Sequence, residues 1–386
     1  MTLKVSQEDL EDIIKIRHDI HQNPEASNEE YRTTKVIKSY LEGLEDIEII
    51  DFPIKTGLVA RLNSKKSGKT IAVRADIDAL RQVEETDISY KSQKKGLMHA
   101  CGHDLHTAIL LALAKLASKN IDKLKGDVIF IFQRAEEITK GAKELIDKGL
   151  FEKVNIDMVL GFHNWPEEDY GKVIIKKGPL MAGKINFTIK VRGKGQHGSM
   201  PHLNIDPIVC ISNIVMALQT IISRNTNPFS PTVLSVNSIS GGSEENLVVD
   251  KAKISATIRS LDKNSLKNAQ EKMQDLSKNI AKAYGCKISI EYDDRIPLVY
   301  NDEFMYEKAL KSAEKVLGRE NIISDCKTMA SEDFAFFMEK VPSFEYFFPS
   351  GEASIKKEAL HSKKFFASDK TIKTATEILL NALIDL

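Results

Sequence analysis

The chain has 386 residues, 42% of them hydrophobic and 28% charged, the balance of a water-soluble globular protein too long for one small core. Lysine plus arginine equals aspartate plus glutamate at 55 each, so no global field favours nucleic acid or an anionic membrane surface. The start, Met1 to Leu10, lacks the apolar core of a signal peptide, and no later run approaches the about 20 apolar residues needed to span a bilayer. Cys101, Cys210, Cys286 and Cys326 stand far apart without the spacing of a disulfide framework. Together these features point to the cytoplasm.

In chain order, Ser6 to His21 reads as a helix that Asn23-Pro24 terminates. Thr70 to Ala75 is expected as a buried strand, Leu105 to Ser118 as an apolar helix and Val128 to Phe132 as a strand. Lys140 to Leu150 then reads as a helix and Met158 to Phe162 as another strand. This alternation predicts an α/β domain with a mostly parallel sheet covered by helices.

From Lys184 the pattern changes. Ile185, Phe187, Ile189 and Val191 alternate with polar residues, and Asp206-Pro207 opens a helix to about Arg224. Strands Thr232 to Ser240 and Ala252 to Ser260, a helix Lys263 to Tyr284 and a strand Lys287 to Tyr292 complete β-α-β-β-α-β, the order of a ferredoxin-like domain. Helices at Phe304 to Leu317 and Thr371 to Leu386 resume the first pattern. The expected organisation is a catalytic domain in two segments, 1–183 and 294–386, with an inserted α+β lid or dimerisation domain at 184–293. Cys210 and Cys286 fall in apolar patterns and read as packing residues.

The stretch Met98-His99-Ala100-Cys101-Gly102-His103-Asp104 carries the sharpest chemical signal. Soft sulfur and imidazole nitrogen two positions apart converge on one ion if Gly102 turns the backbone tightly, which suits zinc or a neighbouring transition metal. The alternative is a buried cysteine beside surface histidines. Other polar residues fall where strands end: Asp76 and Asp78, the pair Glu136-Glu137, and His163. Two adjacent glutamates could be a metal ligand and a general base, or two solvated carboxylates.

Arg74-Ala75-Asp76-Ile77-Asp78-Ala79-Leu80, Met98 to His106-Thr107, Ala135-Glu136-Glu137, Gly161 to Pro166, Lys194 to His202, Ser331-Glu332-Asp333-Phe334 and Leu360-His361-Ser362 stand in the order of a known group. The chain resembles the dinuclear metal-dependent amidohydrolases of the aminoacylase and carboxypeptidase superfamily. Within it the Cys-Gly-His-Asp form resembles the branch of hippurate hydrolases, N-acetyldiaminopimelate deacetylases and auxin-conjugate hydrolases.

The resemblance implies that Cys101, His103, Glu137, His163 and His361 ligate two divalent ions (Zn, Mn, Co or Ni), with Cys101 a plausible bridge. It implies that Glu136 is the general base and that Asp76 sits behind a ligand and orients it. His99 and His106 read as local hydrogen-bonding groups, and His18 and His21 are assigned no chemistry. In the inserted domain His197 is the candidate oxyanion stabiliser, acting on the partner of a homodimer or higher homo-oligomer through a strand, Lys184 to Gly193, that could pair or pack across the interface. An idle loop histidine is the alternative. Asn246 and Arg259 are candidates for the substrate carboxylate, though Arg259 could equally face solvent.

The implied activity is metal-dependent hydrolysis of the amide bond of an N-acyl amino acid by a metal-activated water, with no nucleic-acid or membrane partner. Peptidase action on di- or longer peptides is the second reading and a non-catalytic metal-binding scaffold the third; intact Glu136 disfavours the scaffold. Arg81, the Ile138 to Ala142 stretch and the Phe347 to Gly351 loop depart from the group's usual residues, so specificity is expected to differ there.

Overall fold

The computed structural model describes residues 3–242 and 246–386. The first half runs α1 (Gln7–Gln22), α2 (Tyr31–Leu41), β1 (Ile47–Ile50), β2 (Leu58–Leu62), β3 (Ile71–Asp76), α3 (His103–Lys119), β4 (Val128–Gln133), α4 (Gly141–Asp147), α5 (Leu150–Val154), β5 (Met158–Asp169) and β6 (Val173–Ile174). Then come β7 (Gly178–Met181), β8 (Gly183–Arg192), α6 (Pro207–Asn225), β9 (Thr232–Gly241), β10 (Lys251–Ser260), α7 (Lys263–Ala283), β11 (Lys287–Ile296) and β12 (Val299–Asn301). The chain closes with α8 (Glu303–Leu317), β13 (Ile322–Ile323), α9 (Ala335–Met338), β14 (Ser343–Gly351) and α10 (Lys370–Asp385).

Contacts divide the chain into two compact units: residues 1–178, 300–326 and 333–386, and residues 179–299 with 327–332. In the first, eight strands lie in the order β1-β2-β4-β3-β5-β14-β6-β13. The central four, β4-β3-β5-β14, run parallel; β1-β2, β2-β4 and β14-β6 pair antiparallel, and β13 pairs parallel with β6 at one edge. Strands β3, β4 and β14 are buried along their whole length, as a sheet covered on both faces requires. The covering is built into α3, which is apolar nearly all round and buries Leu105, Ile109, Leu110, Leu113 and Leu116. Each such side chain contributes about 1.5–3 kcal/mol when fully buried.

Two expected boundaries shift in ways that matter for chemistry. Helix α3 begins at His103, two residues earlier than its apolar pattern suggests, so the Cys-Gly-His sequence is the helix start. Strand β5 continues to Asp169, so His163 lies within it and pairs with Phe347 of β14.

The second unit is a four-stranded antiparallel sheet, order β11-β8-β10-β9, carrying α6 and α7 on one face. Asp206 caps α6 through the Ile208 and Val209 amides, and Asp262 caps α7 through that of Ser265. Strand β8 is hydrogen-bonded on both sides, to β10 and β11. It therefore has no edge with which to pair across a dimer, which overturns the pairing reading of Lys184 to Gly193 and leaves the packing one. The strands with an open edge are β9 and β11, at the two ends of the sheet. Among the described residues one helix, Pro207–Asn225, is long and apolar enough to cross a membrane; it buries Cys210, Ile211, Ile214, Leu218 and Ile221 against the sheet.

Candidate metal centre and active site

The first unit gathers the cluster at the carboxyl ends of its parallel strands. Gly102 adopts φ +83°, and a Cβ there would lie 2.5 Å from the Asn164 side-chain nitrogen, so glycine is required by conformation and by space. This turn directs Cys101 and His103 inward, and both are buried. His361 arrives from a distant loop whose amide donates to the Ala100 carbonyl at 2.9 Å. Glu136 and Glu137 follow β4 through Ala135, held at φ +55°.

All five expected ligands come together. Donor atoms of Cys101, His103 and His163 lie within 4.8 Å of one another, as do those of Cys101, Glu137 and His361. The two triads share Cys101, the arrangement a bridging thiolate would have. Cys101 Sγ is 3.4 Å from His163 Nε2, and His361 Nε2 is 3.6 Å from a Glu137 oxygen. His103 Nε2 is buried without a hydrogen-bond partner, 3.8 Å from Glu137 Oε1 and 4.0 Å from Glu136 Oε2. A soft sulfur, three imidazoles and a carboxylate, with one imidazole nitrogen otherwise unsatisfied, fit a pair of divalent transition-metal ions. Glu136 is 7% exposed, so the pair is not two solvated carboxylates.

Electrostatics follow from burial and neighbours. Burial raises the Cys101 thiol well above its ordinary value, and Glu137 adds to the shift. The thiolate therefore needs a cation beside it to form. Burial and His106 hold His163 neutral, the form that ligates. Burial would also neutralise His103, but Asp76 and Cys101 outweigh it and raise its value well above normal.

Two aspartates divide the contacts behind the cluster. Asp76, expected to orient a ligand, binds the Arg74 guanidinium at 2.9 Å and His106 Nδ1 at 2.5 Å, and meets His103 at Nε2, 3.6 Å away. The group behind His103 is Asp78, whose Oδ1 is 3.3 Å from His103 Nδ1. Asp78 also accepts the backbone N–H groups of Glu136 and Glu137, each at 3.1 Å, and the Ser27 hydroxyl at 2.6 Å. It thereby ties a histidine and both glutamates into one frame. Its position two residues after Asp76, on the same face of an extended segment, was the available signal.

His106 and Asn164 extend the frame. His106 Nε2 accepts the Asn164 amide N–H at 2.9 Å, and the Asn164 side chain donates to the Cys101 carbonyl at 2.5 Å. Arg74, fully buried, also binds Asp333 at 2.9 Å, and Asp333 accepts from Gln133 and from the Ala142 amide. His99, read as a hydrogen-bonding group, is buried with neither ring nitrogen partnered, and burial lowers its pKa to about 4. Of the segments that depart from the group's usual residues, Arg81 sits on an exposed pair with Glu29, whereas Phe347 is buried and stacks on Trp165 at 4.8 Å.

His197, Asn246 and Arg259 belong to the second unit. His197 is exposed; its Nδ1 accepts the Ser199 amide N–H at 3.2 Å, leaving Nε2 to carry the proton of the neutral ring. Asn246 is exposed at φ +69°, its carbonyl accepts from Gly198 at 2.8 Å, and Leu247 bridges to His197, so the two candidates share one loop pair. Arg259 does not face open solvent: its Nη1 donates to the Met329 carbonyl at 2.7 Å and lies 3.3 Å from Ser331 Oγ.

Comparison with known proteins identifies the family. Residues 72–385 match the model of peptidase family M20/M25/M40. An N-acetyl-L-cysteine deacetylase of Bacillus subtilis is 39% identical over 341 residues, covering 88% of this chain and 81% of that protein. A hippurate hydrolase of Campylobacter jejuni is 40% identical over 365 residues, covering 94% of this chain and 93% of its own. The crystal structure of a dinuclear metal-binding peptidase of the M20 family from Bacillus subtilis superposes with a TM-score of 0.86 at 32% identity, covering 98% of each chain. With the match spanning the cluster and nearly the whole chain, the protein belongs to peptidase family M20/M25/M40.

Proposed function

We propose that the protein hydrolyses the amide bond of an N-acyl amino acid, using two divalent metal ions held by Cys101, His103, Glu137, His163 and His361. The observation that carries this reading is a buried Glu136 whose backbone is fixed by Asp78 beside two donor triads sharing Cys101. Bound there, the ions would supply Lewis acidity and lower the pKa of water toward neutrality. Glu136 then accepts a proton from the attacking water and returns it to the leaving nitrogen, as a single carboxylate can do in sequence. His197, protonated on Nε2, is assigned the role of donor to the oxyanion, and Asn246 and Arg259 that of binding the substrate carboxylate. Relatives named for deacetylation of N-acetylcysteine and hydrolysis of hippurate support the substrate class.

A carboxypeptidase of Saccharolobus solfataricus, 37% identical over 380 residues, favours peptide hydrolysis as the second reading. Initial rates of the metal-loaded protein on N-acetyl amino acids, N-benzoyl amino acids and dipeptides separate them. The proposal expects kcat/KM on an acylated amino acid to exceed that on any dipeptide by at least tenfold, and the reverse order overturns it. We also assign the enzyme to a homodimer in the cytoplasm. The open β9 and β11 edges support the first assignment, and four cysteines without a disulfide support the second.

A further inference from the structure

The open face of the second unit's sheet carries a block of positive charge that the reaction does not use. In one register row Lys251 stands opposite Arg192, and Arg192 opposite Lys287, so three cations sit side by side on β10, β8 and β11. Two residues along, Lys253 stands opposite Lys190, flanked by Ser240 and Ser289. All five cations are exposed and line one concavity of about 550 Å³. Like charges directly opposite one another on adjacent strands destabilise a sheet. Glu291 binds Lys190 at 2.6 Å, whereas Arg192, Lys251, Lys253 and Lys287 make no ion pair among the described residues. Among the described residues, five cations with one carboxylate on them leave four positive charges in a chain whose formal net charge is zero.

We propose that this concavity binds a small bisphosphate, one phosphate on the Lys251-Arg192-Lys287 row and the other on the Lys253-Lys190 row. The volume is that of a small-molecule site. The rows are two residues apart along the strands, roughly 7 Å, which suits two separate phosphate groups. Two phosphate monoesters carry roughly −1.5 to −2 charges each near neutrality, close to the unmatched charge. Arg192 offers a planar fork to phosphate oxygens, and the Ser240 and Ser289 hydroxyls add donors. Among the described residues no aromatic side chain lines the concavity, so none of them would stack on a nucleobase.

Isothermal titration calorimetry of the metal-loaded protein with fructose 1,6-bisphosphate tests the assignment. The proposal expects saturable one-to-one binding that weakens at least tenfold in the Arg192→Glu/Lys251→Glu double variant, weakens in Lys253→Gln and is unchanged in Lys278→Glu, on α7. Unchanged hydrolytic activity of the double variant shows that it folds, and any heat from the metal centre is common to all these proteins. Orthophosphate should bind at least tenfold more weakly than the bisphosphate. Equal binding by wild type and double variant overturns the site, as does orthophosphate binding as tightly as the bisphosphate. Retention of a double-stranded DNA oligomer without bisphosphate binding overturns it too, because the face is then a macromolecular contact.

Discussion

Asp78 stands behind His103, its Oδ1 3.3 Å from the ring Nδ1, while the same carboxylate accepts the amides of Glu136 and Glu137. One side chain therefore sets the aim of a proposed metal ligand and of both glutamates. Asp78→Asn keeps the shape but weakens the charged contact. It should lower metal affinity about 10- to 100-fold, with a parallel fall in activity at limiting metal. Metal titration followed by kinetics at saturating metal checks it; unchanged metal affinity would remove the orienting role.

Glu136→Gln should retain two metals and lose about 10²- to 10⁴-fold in kcat, because the amide preserves volume and removes the base. Elemental analysis beside steady-state kinetics decides it. Turnover near that of wild type would show that another group moves the proton.

Cys101→Ala should disturb both metals, since both triads use its sulfur, whereas His361→Ala should chiefly affect one. The expected stoichiometry by mass spectrometry under native conditions is lower for Cys101→Ala than for His361→Ala. Equal and full occupancy in both variants would refute the shared ligand.

His197 is assigned to the active site of a partner subunit. Mixing inactive Glu136→Gln protein with inactive His197→Ala protein under verified subunit exchange should then restore up to about half the wild-type activity per heterodimer. No recovery, with His197→Ala impaired alone, would place the donor in its own subunit.

Asp104 accepts from Arg17 and contacts His21 at 3.0 Å, all three buried. Burial would lower the His21 pKa, but Asp104 and Glu84 outweigh it and raise it to about 9. A raised folded-state value means that this stabilisation is complete below the unfolded value near 6.5 and is lost as pH rises through about 9. Unfolding free energy of wild type should therefore fall between pH 6.5 and 9 relative to His21→Gln, by at most about 3 kcal/mol. Denaturant titrations across that range measure the difference; parallel curves would show that His21 is neutral in the fold.

The α/β alternation, the ferredoxin-like order and the order of the motifs were legible in the chain because each rests on local periodicity or local spacing. Leu105 to Leu116 announces a buried helix by composition alone, and Asp206-Pro207 announces a helix start by its own chemistry. The triads were legible only through resemblance, since nothing local relates His361 to Cys101 across 260 residues. Folding brings them together by a hydrogen bond from the His361 amide to Ala100. The sequence alone determined which side chains could bind metal and which segments could be strands. Tertiary structure decided that Asp78 meets His103 at Nδ1 while Asp76 lies nearer Nε2, and that β9 and β11 rather than β8 have an open edge. It also decided that five cations on three strands share one face. Each depends on strand order and register, which are set by packing between segments far apart in the chain and leave no trace in local pattern.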